Sequence, residues 1–237
     1  MDKSVFARKL REAREKSGFT LEQVAEAIGV TPEQVASWES GEQVPSALHL
    51  GLLTTLYAVE GDSLFDEGPL RFNDPLAVFA YYEEPHKILP PKVLLELREW
   101  LNFVNDYAEF ASGEGVVPRQ VLLTLYSGNT SDEEAAARLE KALDDLMNDP
   151  TVLVYKGYLP PEVGVYNLVF FHPQVGCCSF INVGAYSKQV PVGLDRYSKH
   201  ALRLVRKAVE EGRLSVSAAA SLLRVNSTTI ERELLAS

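Results

Sequence analysis

The feature that most constrains this chain is a run of closely spaced helix starts and stops between Gly18 and Ser46. Thr20 precedes LEQVAEAI, with Gln23 three residues on, which is the capping-box spacing, and Gly29 then supplies a left-handed stop. Thr31 and Pro32 restart a helix at once, Thr as N-cap and Pro in the first turn, and it runs through EQVASWES. Gly41 and Pro45 break the chain again before Ser46 caps a fourth helix in which Leu48, Leu52 and Leu56 recur every four residues. Upstream, the run VFARKLREAREK over 5–16 places Phe6, Leu10 and Ala13 at helical spacing and leaves Arg8, Arg11 and Lys16 mainly for solvent. Two short helices joined by a three- or four-residue turn containing Gly have the geometry whose second helix enters the major groove of DNA.

Over about 55 residues the chain resembles the Cro/C1-type (XRE family) helix-turn-helix regulators. The matching stretches are LREAREKSGFT, VAEAIGV and VTPEQVASWESGEQVPS, with Trp38 and Glu39 followed by Gly41 and then Pro45. The resemblance implies a structural ion pair between Arg14 and Glu39. It also implies DNA contacts from Thr20, Gln23, Thr31, Glu33, Gln34, Ser37 and Ser40. The chain departs from the family pattern on that face: no Lys or Arg occurs between Lys16 and Arg71, Leu21 stands where a polar residue usually holds a phosphate, and Pro32 removes a flexible base reader. Uncharged hydroxyls, amides and helix N-termini remain for phosphate and base contacts. Glu33 has two opposed tendencies, accepting from cytosine N4 and repelling phosphate. The rival reading is therefore a non-catalytic interaction module that keeps the fold without the DNA.

The formal net charge of −10 excludes nonspecific coating of nucleic acid, because that binding rests on neutralising phosphates. Residues 1–60 hold six Lys and Arg against nine Asp and Glu, so any DNA contact has to be local. No apolar run of membrane length and no secretory signal is visible, and the expected location is cytoplasmic. Cys177 and Cys178 are adjacent, which suits buried thiols better than a disulfide framework or a metal site. His49, His86, His172 and His200 lack the paired spacing of a zinc peptidase, and there is no phosphate loop or nucleophile elbow. Neither enzymatic activity nor a metal or cofactor is expected.

The whole chain reads as α+β: an all-α domain over residues 1–60, a linker over 61–91 rich in Gly, Pro and acids, and a C-terminal α+β domain over 92–237 for dimerisation or sensing. After Pro90 and Pro91, the residues Val93, Leu97, Trp100, Leu101, Val104 and Tyr107 form an apolar helical stripe, covered either by its own chain or by the same helix of a second subunit. Ser131 is the expected cap of a helix with Leu139, Leu143 and Leu146 inward. TVLVYKGYL, GVYNLVFF and CCSFINVGAY read as strands of a small sheet, expected to be antiparallel. Helices close the chain, from Tyr197 to Glu211 and then a pair over 215–223 and TTIERELL, which reads either as a second helix-turn-helix or as a plain helical hairpin. SFINVGAY and EEGRLSVSAAASLLRV faintly resemble the ImmA/IrrE type of domain, here without its zinc motif. The expected function is a dimeric, operator-binding transcriptional regulator, a repressor, whose C-terminal domain takes a protein or small-molecule effector. Its expected partners are double-stranded DNA and a second copy of itself, with no membrane.

Overall fold

Each short N-terminal helix begins at the cap its sequence supplies. The computed structural model describes residues 3–75, 80–81, 89–116, 120–126, 133–158, 167–172, 174, 176–182 and 192–236. The chain divides into two compact units, Met1–Ala77 with Glu83–Glu99, and Val78–Tyr82 with Trp100–Ser237.

In the first unit α1 (Lys3–Lys16), α2 (Leu21–Ile28), α3 (Pro32–Ser40) and α4 (Ala47–Tyr57) follow one another. Their apolar stripes close on one core that includes Phe6, Leu10, Ala13, Val24, Ile28, Val35, Trp38, Leu53, Leu56 and Tyr57. Gly29 and Gly41 end α2 and α3 at φ 75 and 79, the left-handed conformation that glycine adopts without a Cβ penalty. The four-residue leucine spacing in α4 fails at its first member. Leu48 is 70% exposed, because the first turn touches the core through His49, whose ring lies 5.3 Å from that of Trp38.

Residues 61–75, read from composition as linker, pack into this unit. Leu64 and Leu70 belong to the core, Val59 bridges Phe72, and the Asn73 N–H donates to the Ala58 carbonyl at 2.8 Å. Isolated apolar residues without a period give no sequence signal, yet Leu64 and Leu70 find a place once the helices are assembled, while Phe65 and Phe72 stay exposed. The start of α5 (Pro91–Gly113) also belongs here: Lys92 donates to the Ala27 carbonyl at 3.0 Å, and buried Arg98 pairs with Asp74 and donates to the Leu56 carbonyl.

Among the described residues the second unit is built on a five-stranded sheet. Its strands are β1 (Ala80–Tyr81), β2 (Gln120–Tyr126), β3 (Val152–Tyr158), β4 (Asn167–His172) and β5 (Gly176–Asn182), in spatial order β1-β4-β5-β2-β3. The α+β class expected from sequence is what the structure has, with one correction. The pairs β1–β4 and β4–β5 are antiparallel, but β2 runs parallel to both β3 and β5. The sheet is therefore mixed. The cause is α6 (Glu133–Asn148), which carries the chain from β2 back to the start of β3, the crossover that parallel neighbours require. Within α6, Leu143 is buried, while Ser131 and the side chain of Leu139 lie outside the described residues, as do 164–166 and 183–186 of the expected strand runs. Cys178 is buried, and its thiol donates to the Gly176 carbonyl at 3.6 Å.

Beyond the sheet a 3-10 turn (Gly193–Arg196) leads to α7 (Lys199–Glu210), α8 (Val216–Leu222) and α9 (Ser227–Thr229), which widens into a π-helical turn over Ile230–Leu235. Tyr197, expected to start a helix, instead bridges Tyr155, lies 4.8 Å ring to ring from Phe103 and donates its hydroxyl to the Leu223 carbonyl at 2.7 Å. The stripe Val93, Leu97, Trp100, Leu101, Val104 and Tyr107 is buried in the single chain, so it offers no free face to a second subunit. Among the described residues no helix is long and apolar enough to cross a membrane, and no cluster of His, Cys, Asp or Glu has the makings of a metal site.

Candidate nucleic-acid interface

The surface implied by the family resemblance is built from the N-terminal ends of α2 and α3 and the turn between them. Thr20 and Gln23 close a reciprocal capping box: the Gln23 N–H donates to Thr20 Oγ1 at 3.2 Å, and the Thr20 N–H to Gln23 Oε1 at 2.9 Å. At the other end of α2, Ile28 is followed by Gly29 in the left-handed region, and the Val30 N–H then donates back to the Ala25 carbonyl at 3.0 Å. This reversal sets the direction in which α3 leaves the turn.

In α3 the Gln34 N–H donates to the hydroxyl of the Thr31 N-cap at 3.3 Å, and Pro32 occupies the first turn, where its missing N–H costs nothing. Thr31, Glu33, Gln34 and Ser40 are exposed along this helix and Ser37 is half-buried. The Ser37 hydroxyl donates to the Gln34 carbonyl at 2.8 Å and the Ser40 hydroxyl to the Ser37 carbonyl at 3.1 Å, so both keep their oxygens as acceptors. Of the residues expected to touch DNA, Gln34, Ser37 and Ser40 lie along α3, and Thr31 and Glu33 lie at its start. Thr20 and Gln23 sit at the start of α2, their side chains engaged in the cap. Leu21 packs against the core, which explains an apolar residue at the edge of this face.

Behind the face lies the ion pair. Arg14 Nε and Nη2 donate to the two carboxylate oxygens of Glu39 at 2.7 and 2.9 Å, and Arg14 Nη1 donates to the Phe19 carbonyl at 2.9 Å. The side chains are 13% and 2% exposed, so this fork is shielded from water. The hydrogen bond to Glu39 raises the Arg14 pKa above its ordinary value, against the opposing effect of burial. Arg11 adds a looser contact to the same carboxylate at 3.7 Å. Burial, reinforced by the Glu39 charge, pushes the Tyr57 hydroxyl far above the usual tyrosine range.

Two carboxylates mark the rim. The Glu33 pKa is lowered by its own backbone N–H and by the Thr31 hydroxyl, and the Glu22 pKa is lowered in the same way with Thr20. Glu22 in turn opposes the ionisation of Glu33, which places a second negative charge near the same edge. The sequence reading singles out Glu33 alone. The signal for Glu22 is its place two residues after a Thr cap, identical to that of Glu33. The cations of α1 are engaged elsewhere: Arg8 with Glu67, Lys9 with the Gly68 carbonyl, and Lys16 with Glu12.

A helix-turn-helix family model matches residues 10–64. Searches of curated proteins and of solved structures found no match to the chain. The matched stretch covers the capped helices, the left-handed turn and the ion pair, and supports a DNA-binding regulator in general. Residues 10–64 are thus a helix-turn-helix domain of the Cro/C1 type.

Proposed function

We propose that the protein is a transcriptional repressor that binds an operator through α3 as a dimer. The observation that carries this reading is the row Thr31, Gln34, Ser37 and Ser40 on a helix held in register by the Arg14–Glu39 fork. Such side chains bond to phosphates and base edges without net charge. A dimer matches the two-fold symmetry of operators, and exposed Val44 and Leu48, 45% and 70% accessible, supply an apolar contact for it. Sensing falls to the C-terminal unit. A groove of about 360 Å³ there is lined by Leu194, Leu202 and Leu234, with Lys199, Arg203 and Arg206 outnumbering Asp195 and Glu233, a setting for a small acid with an apolar body.

Glu22, Glu33 and the lack of any Lys or Arg between Lys16 and Arg71 favour the second reading, an interaction module without DNA. Binding-site selection on the wild type and on Glu33→Gln separates the two. A repressor yields a pseudo-palindrome, and Glu33→Gln tightens binding to all sequences alike because one carboxylate no longer faces phosphates. Failure of both proteins to retain DNA at about 50 mM salt hands the function to the interaction module.

A further inference from the structure

The last three helices repeat the spacing of the first three. Counted from the N-cap Thr20, eight of the buried residues, Phe6, Leu10, Ala13, Val24, Ala25, Ala27, Ile28 and Val35, lie at −14, −10, −7, +4, +5, +7, +8 and +15, while Val5, Ala7 and Lys9 are buried as well and have half-buried counterparts in His200, Leu202 and Leu204. Counted from the N-cap Ser215, the buried residues Ala201, Val205, Ala208, Ala219, Ala220, Leu222, Leu223 and Ile230 lie at the same eight offsets. The turns agree as closely. Gly29 and Arg224 are both left-handed at +9, with φ 75 and 49, and Thr31 and Asn226 are both N-caps at +11. The Val30 N–H donates to the Ala25 carbonyl and the Val225 N–H to the Ala220 carbonyl, each at 3.0 Å.

The differences have physical consequences. Arg14 has Val209 at its offset, so the second unit carries no arginine there. The π-helical turn adds a residue to the winding, and the next buried side chain after Ile230 is Leu234, four residues on, where Trp38 is three after Val35. On the outward face Pro32, Glu33, Gln34 and Ser37 are replaced by Ser227, Thr228, Thr229 and Arg232. The acidic residue is gone and a cation has arrived, 73% exposed and only loosely paired with its neighbour Glu233 at 3.4 Å. Residues 199–235 hold seven Lys and Arg against four Asp and Glu, a net charge of +3 that becomes +1 once Arg213 and Arg224 are set against Glu114 and Asp106, whereas the corresponding window 4–40 carries −1, or −2 with Arg8 set against Glu67. A basic helix-turn-helix inside an acidic protein has the electrostatic footprint of a DNA-binding element.

We infer that residues 199–235 form a second helix-turn-helix that binds duplex DNA, with Ser227, Thr228 and Arg232 on its contact face. The inference is independent of DNA binding by the first domain. The test is the affinity of the full chain for a mixed-sequence duplex, by fluorescence anisotropy from about 50 to 200 mM salt. Arg232→Ala is expected to weaken binding about tenfold and to reduce the slope of log K against log salt by about 0.9, with Arg232→Lys restoring the slope. Ser37→Glu, which alters only the first domain's face, is expected to leave residual binding that Thr228→Glu removes. Far-ultraviolet circular dichroism checks that these surface variants stay folded. Affinity and slope unchanged in both Arg232→Ala and Thr228→Glu overturn the inference while leaving the first domain's role intact. Loss of all binding in Ser37→Glu alone, or no binding by the wild type, also overturns it.

Discussion

Replacing Arg14 by Ala leaves the Glu39 carboxylate, 2% exposed, without its two-pronged partner. Removing one member of a buried pair costs about 3 to 5 kcal/mol. The lower end applies here, because Arg14 is itself 13% exposed and Arg11 remains 3.7 Å from Glu39 to compensate part of the charge. The expected loss is therefore about 3 kcal/mol. Arg11 is no neutral comparison for the same reason, and Arg8, which is 56% exposed beside Glu67, is the proper control at about 0 to 1 kcal/mol. Amide hydrogen exchange over residues 20–40 reads the local opening free energy without assuming that the two units unfold together. The double variant Arg14→Val with Glu39→Leu removes both charges and takes the residue types that Val209 and Leu234 show at the same offsets, so it should recover most of the loss. A drop for Arg14→Ala no larger than for Arg8→Ala, or a double variant worse than the single, refutes the reasoning.

Gly29→Ala meets no atom within 4 Å, yet its φ of +75 is unfavourable for any Cβ, so a loss of about 1 to 2 kcal/mol in urea denaturation is expected; a neutral result means the turn relaxes. Leu97→Glu, at a site with no exposure, should unfold the first unit rather than dissociate a dimer, as circular dichroism with sedimentation would show; a folded monomer returns the stripe to a subunit interface. Glu22 and Glu33 have folded-state pKa values below their ordinary ones, so their contribution to stability is present above the unfolded pKa and lost as pH falls through the folded one. Melting temperature should accordingly fall below about pH 4, and the fall should be shallower in the double variant Glu22→Gln, Glu33→Gln.

What could be read in the sequence was local. Thr20, Gly29, Thr31, Gly41 and Ser46 act on the backbone within a few residues, and each cap or stop lies where the residue type demands. The long-range results were not legible. Leu64 and Leu70 enter a core whose other members lie far away in the chain, and the direction of β2 is decided by a helical crossover rather than by its own residues. At the candidate interface the residue types and the capping box of Thr20 with Gln23 were visible, but the approach of Arg11 to Glu39 and the opposition of Glu22 to Glu33 depend on how the helices pack.

The place of β2 also sets an order of events. It precedes every strand it pairs with, and lies between β3 and β5, which are made later. A nascent chain that has emerged through β3 has one side of β2 covered and a row of free N–H and C=O groups on the other, an open edge inviting other chains. Only the arrival of β5 closes it. Truncation between Tyr158 and Gly176 should therefore yield a product prone to aggregate, and synthesis through this stretch is the interval in which the chain depends most on protection by chaperones.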